Sequence, residues 1–303
     1  MAAIVLAACE MTTAPEDVVP PPHRPDTAVP APSPESEVMR NYFNRVQADL
    51  ITRGLMRTDG GGPDTPFTPQ QLIDNFVNIA LFDEYVNVNG RLVPRTTTSS
   101  LRRWDKPIRM HVIFGDTVPL EQRVLDKKNI RSYVQRLSGL TGLPVYPSSA
   151  ETANFHVLML NEGDRRNFAP RLRELVPGVD ETTLRTVIDM PKSTFCLVFA
   201  FSHGSSSTYS RAVAVIRAEH PDRLRKSCIH EELAQGLGLA NDSPTARPSI
   251  FNDDEEFAYL TTHDELLLKM LYDRRLTPGM REAEARPILR AIVDDLLGTN
   301  TQS

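Results

Sequence analysis

Apolar positions early in the chain recur at three- and four-residue intervals. Val38, Tyr42, Phe43, Val46 and Leu50 mark one face of an amphipathic helix, with Gly54 as its stop. A second helix is predicted to start near Thr68-Pro69 and run through Leu72, Ile73, Phe76, Val77 and Ala80. It leads into a hairpin turning at Asn89-Gly90, the dipeptide whose positive-φ tolerance suits a tight turn. Beyond residue 104 the pattern shortens into apolar runs at 108–114, 145–146, 155–160, 195–201 and 212–216, which predict strands. The run at 195–201 is nearly continuous in apolar residues, as a buried strand would be. A helix is expected at 124–137. An insertion at 165–191 carries helices around 172–176 and 182–187. A further helix carries Glu231. Thr262 and Glu265 form a capping-box pattern ahead of the stripe Leu266, Leu267, Met270 and Leu271. Leu276-Thr277-Pro278-Gly279 reads as a turn, and a last amphipathic helix through Ile288, Leu289, Ile292, Val293, Leu296 and Leu297 closes at Gly298. Helices and strands in this order predict an α+β fold with no internal repeat.

A chain of 303 residues with 40% hydrophobic content can bury one good-sized core, and a formal charge of −5 offers no electrostatic case for nucleic acid. The beginning of the chain changes the picture. Ile4-Val5-Leu6-Ala7-Ala8-Cys9 matches a lipobox, so Cys9 is the expected site of lipid attachment. No charged leader and little of an apolar stretch precede it, so the start is taken as internal to a longer signal. Residues 10–36 are rich in Pro and poor in large apolar residues. They predict an extended tether with a reach of about 80 Å. The expected organisation is a truncated lipoprotein signal at 1–9, a disordered tether at 10–36, a helical and hairpin extension at 37–99, and a globular domain at 100–303. The expected address is the periplasmic side of a bacterial membrane. Glu10 after the Cys favours the outer membrane. No later segment is long and apolar enough to span a bilayer.

The richest chemistry lies in Glu231-Glu232-Leu233-Ala234-Gln235-Gly236-Leu237-Gly238-Leu239-Ala240-Asn241. Residues four apart share a helix face, so Glu231 and Gln235 project together with Glu232 beside them, while Ile229, Leu233 and Leu237 point into a core. Gly238 is expected to end the helix and let the chain swing Asn241 back. This spacing resembles the metzincin pattern H-E-x-x-H-x-x-G-x-x-H, with Glu231, Gln235 and Asn241 at the ligand positions, Glu232 at the catalytic Glu and Gly238 at the Gly. In matrixin-like metzincins a Met-containing turn lies under the metal; Phe251 stands where that Met would be, followed by Thr262, Asp264 and Leu271-Tyr272. Arg103-Trp104-Asp105-Lys106-Pro107-Ile108 looks like the tryptophan-containing start of a matrixin domain. The resemblance implies a zincin-like fold, a twisted mixed sheet packed on two long helices with extra N-terminal and C-terminal helices. It also implies Glu232 as general base at a zinc site. The run from Cys228 through Gly279-Met280 is more closely similar to an uncharacterised proteobacterial family of lipoprotein candidates, a domain of unknown function that supplies no activity.

The ligands themselves are altered. Zinc favours imidazole and thiolate, and one carboxylate with two amides makes a poor set. His230 sits about 100° around the helix from Glu231 and reads as a partly exposed helix residue. Without a metal, Glu232 cannot generate hydroxide from water of pKa about 15.7, and Glu231 and Glu232 then accept hydrogen bonds or ion pairs in a cleft. Cys196 and Cys228 either form a disulfide or remain buried thiols. Asn252-Asp253-Asp254-Glu255-Glu256 reads as a solvated acidic turn rather than a calcium loop, His203 with Ser205 to Ser207 as a polar loop, and Gly60-Gly61-Gly62-Pro63 as a flexible linker. The first reading is therefore a lipid-anchored envelope protein, anchored through acylated Cys9, whose degenerate peptidase-like cleft binds a peptide or protein along an edge strand at 212–216 without hydrolysis or zinc. Its alternative is an active metallopeptidase with an atypical site at Glu231, Gln235 and Asn241 or Asp242, assisted by His230. A third class is a structural envelope lipoprotein in which this helix is only a core element.

Overall fold

A computed structural model describes residues 29–88, 91–252 and 254–298. The lipobox with Cys9, most of the predicted tether, the Asn89-Gly90 turn and Asp253 lie outside the described residues. The chain opens with α1 (Pro34–Thr52) and α2 (Pro69–Ala80), then a hairpin of β1 (Phe82–Val88) and β2 (Arg91–Thr98). β3 (Ile108–Phe114), α3 (Leu120–Thr141), β4 (Val145–Pro147) and β5 (Phe155–Leu160) follow. Three short helices, α4 (Glu162–Arg166), α5 (Ala169–Leu175) and α6 (Glu181–Ile188), lead to β6 (Cys196–Ser202) and β7 (Tyr209–Arg217). The chain ends in α7 (Asp222–Gln235), α8 (Thr262–Leu271) and α9 (Glu282–Leu297).

Five strands form one mixed sheet in the order β4-β3-β5-β7-β6. Neighbours are parallel except β6, which runs antiparallel to β7. The connections explain this. Helices cross over between the parallel strands, whereas β6 returns into β7 through a short loop at 203–208 that can join only antiparallel neighbours. The sheet corrects one expectation: residues 212–216 belong to β7, which lies between β5 and β6, and the edge is β6. Ala212 to Ile216 are all essentially buried, as suits an interior strand.

Alternation along the central strands divides the core into two layers. Phe155, Val157 and Met159 of β5, with Ala212, Ala214 and Ile216 of β7, face a main core shared with α2, α3, α7, α8 and α9. Leu158, Leu160, Val213 and Val215 face the other way, onto Leu172 and Leu175 of α5 and Leu184 and Val187 of α6. The insertion at 165–191 thus supplies the cover for the second face. Leu72 and Phe76 of α2 share the main core with Leu289 and Ile292 of α9, so residues before and after position 100 pack as one unit.

Caps and clamps fix the elements around the sheet. Thr68 and Gln71 cap α2 reciprocally. The box that opens α8 is Thr261 with Asp264, one residue earlier than the predicted Thr262 with Glu265. Burial decides the register. The Asp264 carboxylate also accepts from Ser249 Oγ (2.6 Å) and Ile250 N (3.1 Å), while Glu265 pairs with Arg136 at 2.8 Å. The Gly60 region packs as part of the fold, its carbonyl accepting from Thr262 N at 2.9 Å.

Candidate functional site

α7 carries the site, and its sequence explains why. Cys228, Ile229 and Leu233 are buried in the main core, which leaves Glu231 half-buried toward the β6 side. The helix ends at Gln235, with Gly236 as its cap, rather than running to Gly238. Gly236 lies close under the Phe155 ring, and its carbonyl accepts from Trp104 Nε1 at 2.9 Å. Gly238 makes the next bend, at φ +127°, where an added Cβ would sit 2.2 Å from the Arg102 carbonyl. That close approach admits only glycine. Asn241 is not shown returning to the face of Glu231 and Gln235. It docks on the end of α2, its N–H donating to Ile79 O (3.1 Å) and its Nδ2 to Asn78 O (2.8 Å).

The four sequence-predicted positions do not share one role. Glu231 and Glu232 come together with Cys196, one carboxylate oxygen from each and the sulfur lying within 4.8 Å of one another. Gln235 donates its amide to Asp242 Oδ1 at 3.1 Å, and Asn241 has committed its own to α2. Cys196 is bonded to Cys228, with a Cα separation of 5.8 Å. The bridge ties the first residue of β6 to the turn of α7 just before Glu231, and Glu231 Oε2 lies 3.9 Å from Cys196 Sγ. Phe251 is fully buried, and its carbonyl accepts from Ser243 N at 2.8 Å, which joins its turn to the segment leaving Asn241.

Negative charge accumulates here. Glu232 is only 3% exposed, and its Oε2 has no hydrogen-bond partner. Burial first, and then the charges of Glu84 and Asp242, push its carboxyl well above the usual range. Glu231 is raised in the same direction by burial, then by Glu232, Asp242, Glu255 and Glu84.

His230 is not the partly exposed residue expected. It is 6% exposed, stacked on Tyr133 of α3 with ring centroids 3.9 Å apart, and its Nδ1 accepts from Leu260 N at 3.1 Å. Burial, then Lys226 and Arg136, lower its pKa to about 3. The rotation away from Glu231 places its ring in the α3–α7 interface, where an aromatic partner receives it. The residues at the resemblance's metal position therefore supply oxygen only. Neutral imidazole faces elsewhere, the one nearby sulfur is in a disulfide, and both amide nitrogens are engaged. This set does not fit a tetrahedral zinc site, and no hydrolytic step follows from it.

The family model described as "Protein of unknown function (DUF2927)" matches residues 69–291, from α2 into α9. The chain belongs to the DUF2927 family. No curated protein and no solved structure matches it. The DUF2927 match takes in the hairpin, all five sheet strands and the Glu231 pocket. Within that span, sequence reasoning missed Glu84. It belongs to no motif, and only the position of β1 directly after α2, the helix on which Asn241 docks, brings its charge to bear on Glu231 and Glu232. The other candidates are structural. Glu256 pairs with Arg57 (3.2 Å) and Arg247 (2.6 Å), which makes the acidic run a braced turn, and His203 is exposed.

Proposed function

We propose that this chain is a lipid-anchored cell-envelope protein whose zincin-like domain binds an extended peptide or protein segment without hydrolysing it. The observation that carries this reading is the fate of the two former ligand positions, Gln235 and Asn241, whose amides hold Asp242 and α2 in place of a metal. The zincin-like description is supported by a mixed sheet whose one antiparallel strand lies at the edge, bridged by Cys196–Cys228 to the helix with the Glu231-to-Asn241 spacing.

The docking strand of this reading is β6 and not residues 212–216. β6 pairs with β7 on one side, and among the described residues its outer backbone edge has no strand partner. Both its faces are packed, Val198 and Ala200 toward the main core and Leu197, Phe199 and Phe201 toward the second. Its outer main-chain groups suit addition of an extended segment. The test is to add an unstructured polypeptide, reduced casein, to the isotope-labelled full chain. The backbone amide signals of residues 197–202 should shift, and those of β5 should stay. Unmoved β6 signals would remove the docking reading. The anchor is checked separately: Cys9→Ser should transfer the protein from the membrane fraction to the soluble fraction, and retention in the membrane would contradict it.

A further inference from the structure

We propose that the pocket formed by Glu231 and Glu232 is a binding site for a hard divalent cation, calcium foremost. Calcium takes oxygen ligands at about 2.3–2.6 Å, so two oxygens that share one ion stand no more than about 5 Å apart. The carboxylate oxygens of Glu231 and Glu232 meet that limit, lying within 4.8 Å of each other. Cys196 Sγ, the third atom of the group, is engaged in the disulfide and is not a ligand.

A separate observation points to a positive occupant. Glu232 Oε2 is buried and accepts no hydrogen bond. An acceptor oxygen left alone at this depth costs free energy until a positive group meets it. The charges that bear on Glu232 are those of Glu84 and Asp242, both carboxylates. Asn241 Oδ1, next to Asp242, is a second buried oxygen without a partner. The two carboxylates of Glu231 and Glu232 balance the charge of a divalent ion, whose remaining positions take water.

α7 supplies both ligand carboxylates, and the charges of Glu84 on β1 and of Asp242 after Gly238 bear on them. This inference does not rest on peptide docking at β6, and its failure would leave that reading untouched.

The test uses the full chain stripped with EDTA and titrated with calcium chloride by calorimetry in two buffers of different ionisation enthalpy. One calcium per chain is expected, with a dissociation constant on the order of 0.1–1 mM. Proton release into the buffer and a rise in thermal midpoint with calcium concentration should accompany it. Magnesium chloride should bind more weakly, because its small octahedral shell tolerates this arrangement less. Glu232→Gln should abolish binding while keeping the far-UV spectrum of the stripped parent. Glu84→Gln should weaken it on the order of tenfold through the lost charge. Glu174→Gln, on the exposed face of α5, should leave it unchanged. Absence of heat and of any midpoint shift with either salt would overturn the proposal. So would calcium binding that survives in the Glu231→Gln, Glu232→Gln double variant.

Discussion

Replacing both Cys196 and Cys228 by Ser should lower the unfolding free energy by about 3–4 kcal/mol, since the bridge closes a loop with a sequence separation of 32. The chain-entropy estimate applies to the unfolded state, where the bridge removes conformations that β6 and α7 would otherwise explore. A second consequence is local. Among the described residues β6 pairs with a strand on one side only, and the bridge is its covalent link to α7. Its loss should therefore raise amide exchange in β6 before it does so in β5, which has a strand on each side. Urea unfolding followed by fluorescence checks the first effect and hydrogen exchange the second. A loss below about 1 kcal/mol would show that the bridge is not a principal brace of this edge.

A loss of similar size is expected at Glu162, far from any motif. Its Oε2 accepts from Arg165 Nη2 and Arg217 Nη1, each at 2.6 Å, and its Oε1 from Arg166 Nε at 2.8 Å. Arg165 and Arg217 are each 1% exposed. Arg165 also donates to the carbonyl of Val187 at 2.5 Å, and Arg217 to that of Met190 at 2.7 Å, so one carboxylate organises α4, the end of α6 and β7. Glu162→Ala would leave two buried guanidinium groups without their counter-ion, at a cost of about 3–5 kcal/mol. The pH dependence has a definite sign. Burial pushes the Glu162 carboxyl up, but the hydrogen bonds from Arg165 and Arg166, with the charge of Arg165, outweigh it and hold the pKa at about 2, below its ordinary 4.5. A folded-state value below the unfolded one means that this stabilisation is complete above pH 4.5 and is lost as pH falls from there through about 2. Glu162→Gln should flatten that part of the acid-unfolding curve. A wild-type slope retained in the variant would contradict the assignment.

The elements were readable wherever burial imposes a period. β3 and β5 fall on the predicted bounds, and the two insertion helices sit where their apolar stripes place them, because these segments pack against a face that selects the pattern. Strand order was not readable, for a physical reason. The nearly continuous apolar run of β6 suggested a buried strand, yet every residue of β6 is only half-buried, partly covered on both faces at the edge of the sheet. Hydrophobicity reports covered faces, whereas an edge is defined by the partner a backbone lacks. Order depends on crossovers such as the one through α4, α5 and α6, which carries the chain past the position that β7 later fills.

The pocket divides along the same line. Helical spacing put Glu231 and Glu232 together on α7, whereas Gly238 marks a bend beyond the end of the helix and Asn241 goes to α2. Spacing could not say that the Asn241 amide would be taken by Asn78, or that a small rotation would press His230 against Tyr133. Those outcomes depend on α2 and α3, whose approach no local pattern encodes. Glu84 is the clearest case, a carboxylate whose relevance comes from a hairpin rather than from its neighbours in sequence.

The proposed function puts an oxygen-lined pocket where a zincin holds hydrolytic zinc. Its most direct test is zinc content together with casein cleavage, measured on full-length protein loaded with zinc and then dialysed against metal-free buffer. Far less than one zinc per chain and intact casein are expected, both unchanged by Glu232→Gln. One zinc retained per chain, with cleavage that Glu232→Gln abolishes, would contradict it.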